Sequence, residues 1–519
     1  MLFPSFEFVA YFLPVVLLAF ATLAAQQRPF AAGKILLILA SAFFYTWWSI
    51  RDALILGVLV LANYAFSVQI IRHRELGQLR ISRLLAVAGV ALNLAVLMVF
   101  KYANLLVASI YDLAGARAPR FDIVLPLGIS FFTFQKIAFL VDSYKTRLPR
   151  QSFSNFALFV SFFPQLIAGP IVHHREMMPQ FDRARWRRRW SVHLSVGMTL
   201  FVIGLAKKVL IADTLSPFVG PVFEAADQRV AISGIEAWAS LLAYTFQLYF
   251  DFSGYSDMAL GLARCFGIVL PANFYSPYRA RSIVDFWRRW HITLSRFLRD
   301  YLYIPFGGNR RGRGRRYINL LATMAIGGLW HGASWTFLLW GTLHGLALGL
   351  NHWLRETVWP RVPVRLPGPV AWLLTLLFVV LAWIPFRAAT FHGAATLLAG
   401  VAGREGFFPV RLLDQLGPLG HHLHALASDT SLVLSMRDWA LSGAPTLVLA
   451  AAIALFGPNS LQIMRRYTPA LKIPEAPERN GGRGVEWRPT GRWMACMLVL
   501  LIACVLKLSD VSEFLYFQF

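Results

Sequence analysis

The chain has little of what a soluble enzyme or a stapled secreted domain needs. It holds three cysteines, Cys265, Cys496 and Cys504, all in or beside apolar segments and none in CxxC spacing or tied to histidine, so neither a disulfide framework nor a zinc site is indicated. Acidic residues are scarce, 26 against 50 basic ones, giving a formal charge of +24 over 519 residues. No internal repeat is present, which weakens a transporter built from duplicated halves. Ahead of the first apolar run, Phe6 to Ala25, there is no basic residue, and Glu7 lies within it. That run is read as a retained membrane helix rather than a secretory signal.

What the chain does have is apolar surface. It is 57% hydrophobic and 14% aromatic, with a mean hydropathy of +0.55, which places it among all-α polytopic integral membrane proteins. The arginines concentrate in connectors between apolar runs, the positive-inside pattern, so the charge implies a membrane surface and no nucleic-acid partner. Apolar segments predict crossings near residues 5 to 25, 34 to 50, 53 to 71, 84 to 106, 192 to 212, 236 to 252, 369 to 386, 441 to 457 and 493 to 508. With the interrupted segments, eleven or twelve membrane segments are expected in a single domain, both termini outside the cytoplasm. The segments 125 to 141 and 153 to 171 are broken by Pro126 and Gly128, and by Pro164, Gly169 and Pro170. Basic connectors flank the second on both sides, so it is expected to be re-entrant, as irregular backbone at membrane depth must be shielded by protein or a cavity.

Residues 270 to 316 carry eleven arginines against Asp285 and Asp300. Within them Ile283, Phe286, Trp287, Trp290, Leu294, Phe297, Leu298 and Tyr301 recur at steps of three and four. This spacing predicts one amphipathic helix over 282 to 305 on the cytoplasmic face. The stretch 387 to 440 is expected to be a loop on the opposite, periplasmic side.

Several stretches could carry chemistry. The run Ile318 to Leu354 is too long for one crossing of about 30 Å and must fold back, at Gly327-Gly328 or at Gly332-Ala333-Ser334 with Ser334 as N-cap. It contains Trp330, His331 and His344; on an unbroken helix the two histidines would face apart, so a shared site needs the break. Ionisable groups at such depth usually mark function, although helix-bridging core histidines exist. Asp251, Ser253 and Tyr255 form a polar cluster expected at the end of an apolar helix, either lining a tunnel or locking helices together. Arg288, Arg289, Trp290, His291, Arg296 and Arg299 interleave guanidinium groups with aromatics. That suits phosphates and a stacked purine, with anchoring to anionic lipid as the rival. Arg310 and Arg311 close a glycine-rich turn that lacks the spacing of a Walker loop. His173-His174 and the trio His421, His422 and His424 have no carboxylate or cysteine at ligand spacing, so no metal is expected.

The segments Asp251 to Gly261, Pro271 to Asn309 and Gly327 to Gly345 resemble the signature blocks of the membrane-bound O-acyltransferase family. The opening Met1 to Phe8, the Gly169-Pro170 block and the closing Phe514 to Phe519 are most similar to its bacterial alginate O-acetyltransferase branch; the family's shorter D-alanyl-transfer branch fits less well. The resemblance implies a helical bundle around a central tunnel, with acetyl-CoA as donor from the cytoplasm. The acetyl group would be delivered across the inner membrane to an exported polysaccharide through periplasmic partner proteins. It implies His331 as the catalytic histidine and His291 as the second histidine of the WRRWH block. A non-catalytic channel for a polyanionic polysaccharide is the alternative the arginine load suggests.

Overall fold

A computed structural model describes residues 1–25, 30–146, 148–181, 190–362, 366–415, 423, 426–428, 430, 433–474, 485–508 and 515. Among the described residues the regular structure is helical, apart from a two-residue parallel pairing of Phe408–Pro409 with Ala427–Ser428 and an isolated bridge between Pro271 and Leu471. Five helices among the described residues are long and apolar enough to cross a membrane: Ile50–Glu75, Leu79–Leu113, Trp190–Asp227, Gly368–Arg387 and Met436–Leu455. Shorter apolar helices cover Phe8–Leu23, Ala31–Thr46, Phe391–Val401 and Gly491–Val505.

By internal contacts the chain forms two compact units that interleave in sequence. One comprises Met1–Leu205, Tyr255–Asn273 and Ser460–Ser509; the other comprises Ala206–Gly254, Phe274–Asn459 and Asp510–Phe519. In the first, Ile50–Glu75, Leu79–Leu97 and Ile129–Lys145 pack on one another around Ile70, Ala86 and Leu140. Asn63 and Asn93 exchange side-chain hydrogen bonds across two of these helices, satisfying amides that would be costly in an apolar interior. The segment expected to be broken is broken: helices Phe153–Ser161 and Phe163–Leu166 are followed by irregular, buried backbone through Val172. Gly128, at φ +72, enters the Ile129–Lys145 helix where a Cβ would stand 2.8 Å from the Leu166 carbonyl oxygen.

The second unit is built on a hairpin of Arg313–His331 and Trp335–Trp353. Of the two breaks the sequence allowed, the fold uses Gly332-Ala333-Ser334; Ser334 caps the second helix, its Oγ accepting from Thr336 N–H. Gly328 serves instead in the contact between the helices, opposite Gly341, where a Cβ would come within 2.3 Å of the Phe337 carbonyl oxygen. Gly368–Arg387 packs along Trp335–Trp353.

Two expectations change. The predicted amphipathic helix over 282 to 305 is instead two short helices, Ile283–Trp287 and Ile292–Leu298, followed by a wide turn Arg299–Tyr303. His291 interrupts it with φ 42° and ψ 53°, and Phe286, Trp287, Trp290 and His291 are buried rather than laid on a surface. A periodic pattern predicts one face, but it cannot reveal that the backbone turns back to bury that face on every side. The polar cluster at Asp251 lies in the middle of the Gly234–Cys265 helix, not at its end, because a buried cation compensates it.

Candidate active site

The histidines meet within the second unit. The rings of His291 and His331 lie 6.3 Å apart, centroid to centroid, and both are almost wholly buried. Trp330 packs against each, at 5.0 Å from His331 and 6.1 Å from His291. Trp340 and Phe386 complete the surround of His331 at 5.2 and 5.3 Å, and Phe252 stands edge-on to His291 at 4.8 Å. Each position follows from a local feature. His331 is the last residue of its helix, released by the Gly332 break, and His291 is swung inward by its left-handed backbone. A non-glycine residue there costs about 1–2 kcal/mol, a strain found at functional sites when the surroundings enforce it.

His344 lies one turn beyond Trp340, with ring centroids 4.8 Å apart, and is wholly buried among Phe286, Trp287 and Phe378. Trp287 Nε1–H donates to His344 Nδ1 at 3.3 Å. Thus the fold-back brings both His331 and His344 against the Trp340 ring, at 5.2 and 4.8 Å. Trp290 packs on Phe274, Phe286 and Trp383, inside the chamber wall.

Behind His291, Asp251 forms a buried ion pair with Lys208 at 2.7 Å; Lys208 also holds Asp213 at 2.7 Å. Asp251 further accepts from Leu515 N–H at 3.1 Å. Asp251 immediately precedes Phe252, the ring against His291, so this network fixes the helix turn that supports the histidine. Ser253 is buried beside it. Tyr255 belongs to the other unit, where it stacks on Phe3. Sequence reasoning missed Lys208 and Phe386. A lysine inside the apolar run 192 to 212 was a signal of the intramembrane kind; nothing local marked Phe386.

The arginines divide. Arg289 pairs with Asp285 at 2.8 Å and Arg299 with Asp300 at 2.7 Å, so part of their charge is spent within the chain. Arg296 is half-buried. Arg288, Arg310, Arg311, Arg313 and Arg315 are exposed, the last four on or just after the turn at Gly307-Gly308, whose backbone adopts positive φ. Nearby, Arg316 donates twice to Glu356 and holds its carboxyl below the ordinary range.

The fold also brings Asp142 to His173-His174, supplying a carboxylate that sequence spacing did not reveal. Arg175 N–H donates to His173 Nδ1, so the neutral ring carries its proton on Nε2 and gives it to Asp142 at 2.8 Å. His174 Nδ1 lies 3.8 Å from the same carboxylate, so the three side chains cluster closely enough to hold a metal ion, against the expectation from spacing. His421, His422 and His424 lie outside the described residues.

Residues 42–384 match the sequence profile of the MBOAT, membrane-bound O-acyltransferase family. A peptidoglycan O-acetyltransferase of Helicobacter pylori is 41% identical over 78% of this chain and 80% of its own length. A probable alginate O-acetylase of Pseudomonas putida is 36% identical over the full length of both. A teichoic acid D-alanyltransferase of Streptococcus thermophilus is 28% identical over 44% of this chain and 58% of its own.

Proposed function

The chain belongs to the membrane-bound O-acyltransferase family and is a multi-pass membrane acyltransferase, and from that premise we propose that it takes acetyl from cytoplasmic acetyl-CoA and passes it across the inner membrane for O-acetylation of an exported polysaccharide. The relatives that cover most or all of this chain are named for O-acetyl transfer, one to alginate and one to peptidoglycan, whereas the D-alanyltransferase covers less than half of the chain. The observation that carries the reading is the pairing of His331 with His291 in a chamber otherwise lined by aromatic rings. Two imidazoles held at 6.3 Å in an apolar surround suit proton transfer at a reacting group placed beside them.

A thioester is already activated, so the barrier lies in making a hydroxyl nucleophilic. His331, as a neutral imidazole, takes the acceptor hydroxyl's proton as its oxygen bonds to the acetyl carbon. The carbon–sulfur bond then breaks, and the proton passes to the departing CoA thiolate. His291 orients the thioester or shares that proton. Exposed Arg310 and Arg311, with Arg288, hold the CoA phosphates at the cytoplasmic mouth, and periplasmic partner proteins complete delivery to the polysaccharide. Both termini face the periplasm in this reading, which the positive-inside distribution of the basic connectors supports.

The test is His331→Gln and His331→Ala in purified protein supplied with acetyl-CoA. General-base help is worth about 10² to 10⁴ in rate, or roughly 3–5 kcal/mol, so both variants should lose transfer by that factor while still binding acetyl-CoA. Wild-type turnover in a folded His331→Ala protein removes the assignment, and a wild-type protein that neither hydrolyses acetyl-CoA nor transfers its acetyl group removes the function.

A further inference from the structure

Among the polar atoms around the histidines that the reaction above does not use, two sit on one helix. Trp340 Nε1 and His344 Nε2 have no hydrogen-bond partner among the described residues, although Trp340 is 1% exposed and His344 is wholly buried. A buried group left without its hydrogen bond costs about 1–3 kcal/mol, so two on adjacent turns of one helix, beside His331, call for an occupant.

The identity of the free atom on His344 follows from its partner. An indole N–H can only donate, so the Trp287 contact makes His344 Nδ1 an acceptor and leaves the proton of the neutral ring on Nε2. Indole Nε1 of Trp340 is a donor by its chemistry. Both unmatched atoms are therefore N–H donors, and the occupant must accept. The rings lie 4.8 Å apart, and Trp340 also contacts His331 at 5.2 Å, so an acceptor shared by the two donors would lie within a ring or two of the base.

We propose that Trp340 Nε1–H and His344 Nε2–H form a donor pair for the acyl thioester carbonyl oxygen, with Trp287 as the positioning residue that sets the His344 tautomer. This rests on the acyl-transfer reading above. When the acceptor's hydroxyl oxygen bonds to the acyl carbon, the electron pair of the C=O π bond moves onto the carbonyl oxygen. The two N–H groups meet the developing negative charge until the carbon–sulfur bond breaks and the carbonyl reforms. Fixed neutral donors among buried aromatic rings suit this charge, because they need no reorganisation as it develops. It also accounts for an imidazole wedged among Phe286, Phe378 and Trp340, where a purely apolar side chain would pack without an unmatched donor.

The experiment measures acetyl transfer from acetyl-CoA by the full-length protein, with thermal melting of each variant. Removing a donor of this kind costs about 10² to 10³ in turnover, so His344→Leu should lose kcat by that factor with KM for acetyl-CoA little changed, and Trp340→Phe should lose about tenfold or more. His344→Gln, which keeps an N–H, should recover part of the loss. Trp287→Phe keeps an aromatic ring but removes the N–H that sets the tautomer, and should lower kcat severalfold in protein that still folds. An active wild type with unchanged kcat in a well-folded His344→Leu or Trp287→Phe protein overturns the donor pair and leaves the acyl-transfer reading standing. An inactive wild type would sink that reading instead. If His344→Leu fails to fold, Trp287→Phe and Trp340→Phe decide.

Discussion

Substituting Gly328 by alanine adds one methyl group where the two helices of the hairpin touch. Its Cβ would stand 2.3 Å from the Phe337 carbonyl oxygen and 2.9 Å from the Gly341 Cα, both backbone atoms that no rotamer change can move aside. Ordinary contact begins near 3.4 Å, so Arg313–His331 and Trp335–Trp353 must separate by about 1 Å. Overpacking of this kind costs typically 1–3 kcal/mol. The functional cost should exceed the structural one. His331 is three residues away on one helix and Trp340 adjoins Gly341 on the other, and a misplacement of about 1 Å at a reacting pair can cost 10²-fold in rate. Gly349 lies on the same helix as Gly341, yet a Cβ there meets nothing closer than 3.7 Å. Its exchange for alanine lowers the conformational entropy of the unfolded chain at a helix-interior position and should be neutral or slightly stabilising. Thermal melting and acetyl transfer on Gly328→Ala, Gly341→Ala and Gly349→Ala provide the test. Equal activity and equal melting in all three would refute the reasoning.

Lys208→Met leaves Asp213 and Asp251 as buried carboxylates without their cation, and breaking such a pair costs about 3–5 kcal/mol; the variant should express poorly or melt early, while an unchanged melting temperature would show that the network is dispensable. Paired Arg310→Ala and Arg311→Ala exchanges remove charge-assisted contacts of about 1.5–3 kcal/mol each. The apparent acetyl-CoA affinity should fall at least tenfold, most clearly at low salt, and an unchanged affinity assigns these arginines to the lipid surface. His291→Ala should retain measurable transfer where His331→Ala does not, checked by turnover of each under saturating acetyl-CoA.

The membrane class, the fold-back between Ile318 and Leu354, the broken segment after Phe153 and the candidacy of His331 were legible in sequence. Each depends on a property that one stretch of chain carries by itself: too much apolar length for one crossing, a glycine where a helix must stop, an ionisable ring at costly depth. The helix over 282 to 305 was misread because its period of three and four reports only which residues want burial. His291 in a left-handed conformation is a choice the packed interior enforces against local preference, so no neighbouring residue announces it.

Tertiary structure alone decided which groups meet. Lys208 reaches Asp251 across more than forty residues, and Asp142 reaches His173 across about thirty, because buried charges and donors find whatever partner the packing brings near. The tautomer of His344 was decided in the same way: the sequence supplies an imidazole that could carry its proton on either nitrogen, and an indole 57 residues away, unable to accept, leaves only Nε2 for it.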